Sequence, residues 1–119
     1  MDESEAIAGA RPERLREALL TERARVIAEL EESTVEAPGQ MSYGSQAAAA
    51  AQVFEQQRDL ALRDHNHEHL AAIDAALARL DEGTYGRCTS CHREIPFERL
   101  EARPWAALCI DCQRAAQRR

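Results

Sequence analysis

The sequence predicts a mainly α protein: an antiparallel two-helix coiled-coil hairpin followed by a small C-terminal zinc finger with four cysteines. Two stretches with helical periodicity are separated by a segment rich in Pro and Gly, and all four cysteines follow the second stretch as two Cys-x-x-Cys pairs. Of the 119 residues, 4% are aromatic and 30% are charged. This composition suits long helices that pack along a narrow seam better than it suits a globular core.

The first helix is predicted to begin at Pro12, because proline fits the first turn of a helix, where its missing N–H costs nothing. Residues 1–11 are acidic and small and lack periodicity, so we expect a disordered lead-in. From Glu13 to about Glu36, apolar residues recur three, four or seven apart and form one helical face: Leu15, Ala18, Leu19, Val26, Ile27 and Leu30.

A loop near residues 37–45 follows, since Pro38, Gly39 and Gly44 fall within seven residues. From Gln46 to Asp81 there is neither Pro nor Gly, which predicts one long second helix that ends at Gly83. A helix of this length and low apolar content needs a partner. We therefore expect residues 12–82 to form the hairpin, with the first helix folded back on the second.

The second helix has a coiled-coil seam in its last third, where Leu70, Ile73, Leu77 and Leu80 follow a three-four-three spacing. A polar run at residues 63–69 precedes this seam and contains His65, His67 and His69. His65 and His69 are four apart and share a helical face, so metal binding or pH sensing is one interpretation. We expect instead that these histidines are solvated, because no third ligand is evident nearby.

The four cysteines predict one structural zinc ion. Cys88 and Cys91 form one pair, Cys109 and Cys112 the other, and the seventeen residues between the pairs fall within the usual spacing for a tetrahedral zinc site. Four thiolates leave no open coordination position, which favours a structural ion over a catalytic one. The finger is expected at residues 83–113, followed by a basic tail at residues 114–119 that continues as a short helix or stays solvated.

Charge and hydropathy exclude several classes of function. The net charge is -6, which disfavours binding of nucleic acid by the whole surface. From residue 88 to 119, six arginines against four acidic residues leave a surplus of two, which zinc with four thiolates cancels. We expect no sequence-specific DNA binding by the finger, no membrane span and no signal peptide, and therefore a cytoplasmic protein in whose reducing environment paired cysteines hold metal.

The chain between the cysteine pairs is more distinctive than the cysteines. Tyr85-Gly86 precedes the first pair, Ile-Pro-Phe-Glu-Arg-Leu-Glu-Ala-Arg-Pro occupies residues 95–104, and Gln113 follows the second pair. This stretch closely resembles the C4 zinc finger of the DksA/TraR family of bacterial transcription regulators. The resemblance covers residues 85–113 in sequence and about 12–119 in layout. Arg99, Leu100 and Pro104 are then finger scaffold, Ile95 and Leu108 are its small core, and Trp105 packs over the finger.

The resemblance implies a regulator that is not an enzyme. Longer members of the family bind RNA polymerase, insert the hairpin into its secondary channel, and use acidic residues in an Asp-x-x-Asp-x-Ala tip, often alongside the nucleotide ppGpp. A carboxylate near the polymerase Mg²⁺ would perturb an ion that prefers oxygen ligands. This chain departs from the family there, because residues 37–50 contain no Asp or Glu.

Three interpretations of the tip stay open. It is only a connection, it contacts a protein partner through Met41 and Tyr43, or it packs back on its own hairpin. A coiled-coil adaptor that has lost the polymerase, and less readily a nucleic-acid-binding finger, are the alternatives to a polymerase regulator. His92 is a second departure, since the family more often has glycine after the second cysteine. Either the turn there is unusual or His92 competes as a ligand.

Overall fold

The computed structural model describes residues 12–32 and 46–118. Across these residues it has four α-helices: α1 (Pro12–Glu32), α2 (Gln46–Glu82), α3 (Phe97–Ala102) and α4 (Ile110–Gln117). Strand-like pairing in this part of the chain is limited to one isolated antiparallel bridge between Arg87 and Glu94. The fold is therefore mainly α, as predicted. None of the described helices has the combination of length and apolar character needed to cross a membrane.

The two long helices form an antiparallel hairpin. Arg16 Nη2 lies 2.6 Å from Asp81 Oδ1, and Arg23 Nε lies 2.7 Å from Asp74 Oδ1, so rising numbers on α1 meet falling numbers on α2. The side chains in these pairs are about half exposed, and such surface ion pairs contribute little stability each. They do fix the register, because each pair joins residues whose numbers sum to 97.

The core of the hairpin lies where the predicted seam of α2 meets the apolar face of α1. Leu19 and Val26 of α1 are fully buried against Ile73 and Ala76 of α2. The partly buried residues packed around them include Leu30 of α1 and the rest of the predicted seam of α2: Leu70, Leu77 and Leu80. Burial of a large aliphatic side chain contributes about 1.5–3 kcal/mol, so this short cluster supplies most of what holds the helices together.

Polar contacts replace apolar ones where the seam reaches the polar run. Asn66 donates from Nδ2 to Glu29 Oε2 at 3.2 Å, and His69 Nε2 lies 2.9 Å from Glu22 Oε2. The pairing of α1 and α2 therefore continues past Leu70 through hydrogen bonds between side chains. The sequence does not predict these contacts, because the pattern of polar residues in a seam does not show which side chains they contact.

The end of α2 is a left-handed turn at Gly83, whose φ is 80°. The N–H groups of Thr84 and Tyr85 donate to the Arg79 carbonyl at 3.0 and 3.2 Å, which satisfies the helix terminus. Glycine adopts this φ without the steric cost that a Cβ brings. The turn redirects the chain from the hairpin into the finger, where Gly86 again has a positive φ, of 89°.

Candidate metal centre and its attachment to the hairpin

The four predicted metal ligands lie together in the structure. The Sγ atoms of Cys88, Cys91, Cys109 and Cys112 are all within 4.8 Å of one another, and those of Cys91 and Cys109 are 3.7 Å apart. Zinc bonded to four thiolates at about 2.3 Å in a tetrahedron separates its sulfurs by about 3.8 Å. The donor set and its spacing therefore fit one zinc ion, and the protein is a structural zinc protein of the C4 type.

The first cysteine pair is a turn whose backbone amides point at sulfur. Ser90 N and Cys91 N donate to Cys88 Sγ at 3.4 and 3.5 Å. Burial acts to raise the pKa of the Cys88 thiol, but the backbone N–H groups of Cys91, Cys109 and Ser90 outweigh it and lower the pKa to about 6. The turn thus favours the thiolate, which is the form that binds metal.

His92 closes this turn in the left-handed region, with a φ of 65°. Its N–H donates to the Cys88 carbonyl at 3.0 Å, and its own carbonyl accepts a bond from Arg87 Nη1 at 3.4 Å. His92 is exposed and is not among the groups that converge on the metal position. Of the two interpretations of this residue, the structure supports the unusual turn: histidine holds a backbone conformation that glycine adopts more easily.

The second cysteine pair opens α4. Cys109 is the N-cap, with extended φ and ψ of -68° and 166°, and its carbonyl accepts the Gln113 N–H at 2.9 Å. Cys112 follows in the first turn, where a side-chain hydrogen bond with Cys109 raises the pKa of Cys112 to about 12. Four neighbouring sulfurs cannot all carry negative charge alone, and a divalent cation removes that conflict. Residues 114–117 of the basic tail form the second half of this helix.

The small core of the finger contains the predicted residues, and a short helix, α3, contributes to it. Ile95 and Leu100 are buried with Cys88 and Ala106, and Leu108 packs against them. Arg99 Nε donates to the Leu108 carbonyl at 3.0 Å, which ties α3 to the segment before Cys109. The helix α3 itself was missed by sequence reasoning, because six residues are too few to show a period. Pro96 directly before it is the signal that could have found its start.

Tyr85 joins the finger to the hairpin. It packs against both buried clusters, and its hydroxyl donates to the Pro104 carbonyl at 2.8 Å. Burial raises the pKa of Tyr85 to about 12, so the phenol stays protonated and remains a donor. Pro104 is buried, in keeping with the scaffold role expected of it. Tyr85 was noted in the sequence only as part of a motif, and its contact role was not predicted.

Two aromatic side chains lie elsewhere than the sequence led us to expect. Trp105 does not pack over the finger core: its ring packs against the hairpin cluster, edge to face with His69 at a centroid distance of 4.5 Å. His69 is accordingly not solvated, with 14% of its side chain exposed. His65 and His67 are exposed as expected, and the His65 ring stacks on that of His69 at 6.3 Å.

The first half of α2 extends past the end of α1. The register of the hairpin places Glu32 beside residues 63–65, and α2 continues for about 27 Å beyond that level. This part carries exposed apolar side chains: Val53, Phe54, Leu60 and Leu62. Met41 and Tyr43, which the sequence suggested as partner contacts, lie outside the described residues.

Comparison with known proteins defines the class of this fold and site, a helical hairpin carrying a C4 zinc finger. Residues 83–118 match the family model described as the prokaryotic dksA/traR C4-type zinc finger. Over 101 residues the chain is 35% identical to the RNA polymerase-binding transcription factor DksA of Haemophilus influenzae, which is 85% of this chain and 66% of that protein. The chain belongs to the DksA/TraR family.

Two other curated relatives match shorter stretches of the chain. The DksA protein of Escherichia coli K12 is 41% identical over 68 residues, which is 57% of this chain and 45% of that protein. The uncharacterized protein YteA of Bacillus subtilis is 47% identical over 57 residues, which is 48% of this chain and 24% of that protein. The chain thus spans between a quarter and two thirds of the length of these curated relatives.

A solved structure matches nearly the whole chain. Transcription factor DksA2 from Pseudomonas aeruginosa superposes with a TM-score of 0.74 at 28% sequence identity, and the match covers 98% of this chain and 97% of that one. The similarity therefore includes the hairpin as well as the finger, whereas the family model matches the finger alone.

Proposed function

We propose that the protein is a bacterial transcription regulator, without enzymatic activity, that binds RNA polymerase through its helical hairpin in the secondary channel of that enzyme. The observation that carries the proposal is the extent of similarity to a protein named as an RNA polymerase-binding transcription factor. A match over 101 of 119 residues must include much of the hairpin as well as the finger. The layout of α1 and α2 supports it, because a slender pair of helices with a projecting end fits a narrow channel.

The zinc ion has a structural role in this proposal. Its ligands are Cys88, Cys91, Cys109 and Cys112, and their four thiolates leave no coordination position for substrate or water. The finger fixes the base of the hairpin, while α2 carries the contact surface. A reducing cytoplasm, where RNA polymerase acts, keeps the four cysteines available for metal.

The tip acts without carboxylates, since residues 37–50 contain none. Met41 and Tyr43 are its candidate partner contacts. Phe54, which is 69% exposed in the first half of α2, is a further candidate contact. We therefore expect the protein to act by occupying the channel and by apolar contact, with no carboxylate from this segment near the catalytic Mg²⁺.

Three measurements test the proposal. Purified protein should be retained by RNA polymerase core enzyme and should change the amount of transcript in a reconstituted reaction. A photoreactive residue at position 54 should cross-link to the largest subunits, and a factor known to occupy the secondary channel should abolish that cross-link. The matched control places the same photoreactive residue at Glu98, which is exposed on α3 of the finger. Absence of retention by the core enzyme sinks the functional proposal and leaves the fold intact.

A second candidate is a coiled-coil adaptor that has kept the family fold and exchanged the polymerase for another protein. The acid-free tip and the exposed apolar side chains on the first half of α2 favour it. Such an adaptor fails both the retention and the transcription measurements while still carrying zinc.

A further inference from the structure

Three parts of the protein meet at His69. Its Nε2 lies 2.9 Å from Oε2 of Glu22 on α1, and its ring is edge to face with Trp105 of the finger, with planes at 85°. The side chain is 14% exposed although it belongs to a run of polar residues on α2. A polar residue this well enclosed is a packed contact between elements.

Trp105 belongs to the finger by connection and to the hairpin by packing. It lies in the segment that leads from α3 to Cys109, and its ring packs against the hairpin cluster. The segment is tied directly to the first cysteine turn, since Thr89, between Cys88 and Cys91, donates its N–H to the Ala107 carbonyl at 2.9 Å. The position of Trp105 therefore depends on the order of both cysteine pairs.

We infer that Trp105 and His69 couple zinc binding in the finger to the stability of the hairpin. This inference rests on the proposed zinc ligation. With zinc bound, the two cysteine turns hold the segment that places Trp105 against His69, and His69 in turn contacts Glu22. Without zinc, the cysteine turns lose the ion that holds them together, the segment loses its anchor, and Trp105 leaves α2.

The coupling has to act in both directions. If zinc favours the contact between Trp105 and His69 by some factor, then the contact favours zinc binding by the same factor. His69 is on α2, and its side chain contacts Glu22, His65 and Trp105, of which Trp105 alone lies in the finger segment. Removal of the His69 ring can therefore weaken zinc binding chiefly through Trp105.

The test measures zinc affinity by competition with a chromophoric chelator. The variants are His69→Ala, Trp105→Ala, the double variant, and His67→Ala as a matched control, since His67 is an exposed histidine on the same helix. We expect about fivefold weaker binding for His69→Ala, at the lower end of typical coupling between sites, and at least as large a loss for Trp105→Ala, whose ring also packs against the hairpin cluster. The double variant should be no weaker than Trp105→Ala alone, because without Trp105 the His69 ring has no route to the finger. His67→Ala should bind zinc like the unchanged protein.

A second readout comes from Trp105 itself, which is the sole tryptophan of the sequence. Removal of zinc should shift its emission to longer wavelength as the ring enters water, and the melting temperature followed by helicity should fall. In His69→Ala, the melting temperature should fall less on removal of zinc than it does in the unchanged protein. The helicity of this variant at saturating zinc should equal that of the unchanged protein.

Equal zinc affinity of His69→Ala and His67→Ala would overturn the inference, as would additive losses in the double variant. These results leave the zinc proposal standing if the unchanged protein binds one zinc per chain. Failure of the unchanged protein to bind zinc would overturn both.

Discussion

Replacement of His92 by glycine should make the protein more stable. The φ of His92 is 65°, in the left-handed region, which costs a residue with a Cβ roughly 1–2 kcal/mol. Glycine removes that cost and adds about 0.5–1 kcal/mol of lost chain entropy on folding. The two hydrogen bonds that His92 makes here come from its own N–H and carbonyl, so they survive the change. The net expectation is a gain of about 0.5–1 kcal/mol in the free energy of unfolding.

The assay is thermal unfolding of zinc-loaded protein, followed by helicity, together with a count of bound zinc. Arg93→Gly is the matched control: it adds the same backbone freedom one residue later, where φ is not positive, and should cost about 0.5–1 kcal/mol. His92→Ala should be no more stable than the unchanged protein, because alanine keeps the Cβ. A loss of stability in His92→Gly equal to that in Arg93→Gly would refute the reasoning. Loss of zinc from His92→Gly would revive the alternative that His92 is a ligand.

Three further predictions follow from single residues. Cys88→Ser should lose bound zinc, measured as zinc per chain by elemental analysis. The finger should then lose its order, since a closed zinc site supplies folding energy directly. Full zinc retention in this variant contradicts the ligand assignment. Leu19→Ala should lower the free energy of unfolding by about 3 kcal/mol in a denaturant titration, because Leu19 is fully buried, whereas Leu20→Ala, at 50% exposure, should change it by less than about 0.5 kcal/mol. Glu22, whose pKa is lowered from 4.5 to about 2 by hydrogen bonds from Arg25 and His69, contributes stability that is complete above pH 4.5 and lost as the pH falls to about 2. The stability difference between the unchanged protein and Glu22→Gln should therefore narrow over that range, and a difference that does not depend on pH contradicts the role given to Glu22.

The parts of the fold that the sequence predicted are those governed by a period or a spacing. The seam at Leu70, Ile73, Leu77 and Leu80 lies in the hairpin core, and a three-four-three repeat on a helix has one geometric outcome. The four sulfurs converge, since two tight Cys-x-x-Cys turns at zinc-finger spacing are hard to satisfy in another way. Such patterns are local or repeat, so one chain is enough to recognise them.

The joint between hairpin and finger could not be predicted in this way. His69 and Trp105 are 36 positions apart, and neither belongs to a repeating pattern that pairs it with the other. Trp105 follows a proline inside the finger motif, so its sequence context points to the finger. In the structure the chain turns at Gly83, and the Trp105 ring packs against the hairpin. Contacts of this kind depend on the angle between two elements, which neither periodicity nor spacing specifies.

The size of the two cores explains why such a joint is needed. The buried cluster of the finger has four members, Cys88, Ile95, Leu100 and Ala106, and one of these is a proposed zinc ligand. A core this small cannot offset the entropy of ordering the finger without the metal. The hairpin core is no larger, with Leu19, Val26, Ile73 and Ala76 fully buried among the described residues. Tyr85 and Trp105 add apolar surface to that cluster, and zinc holds the segment from which Trp105 extends. The metal therefore stabilises the coiled coil as well as the finger, and this dependence gives a structural zinc influence over the element that is proposed to bind the polymerase.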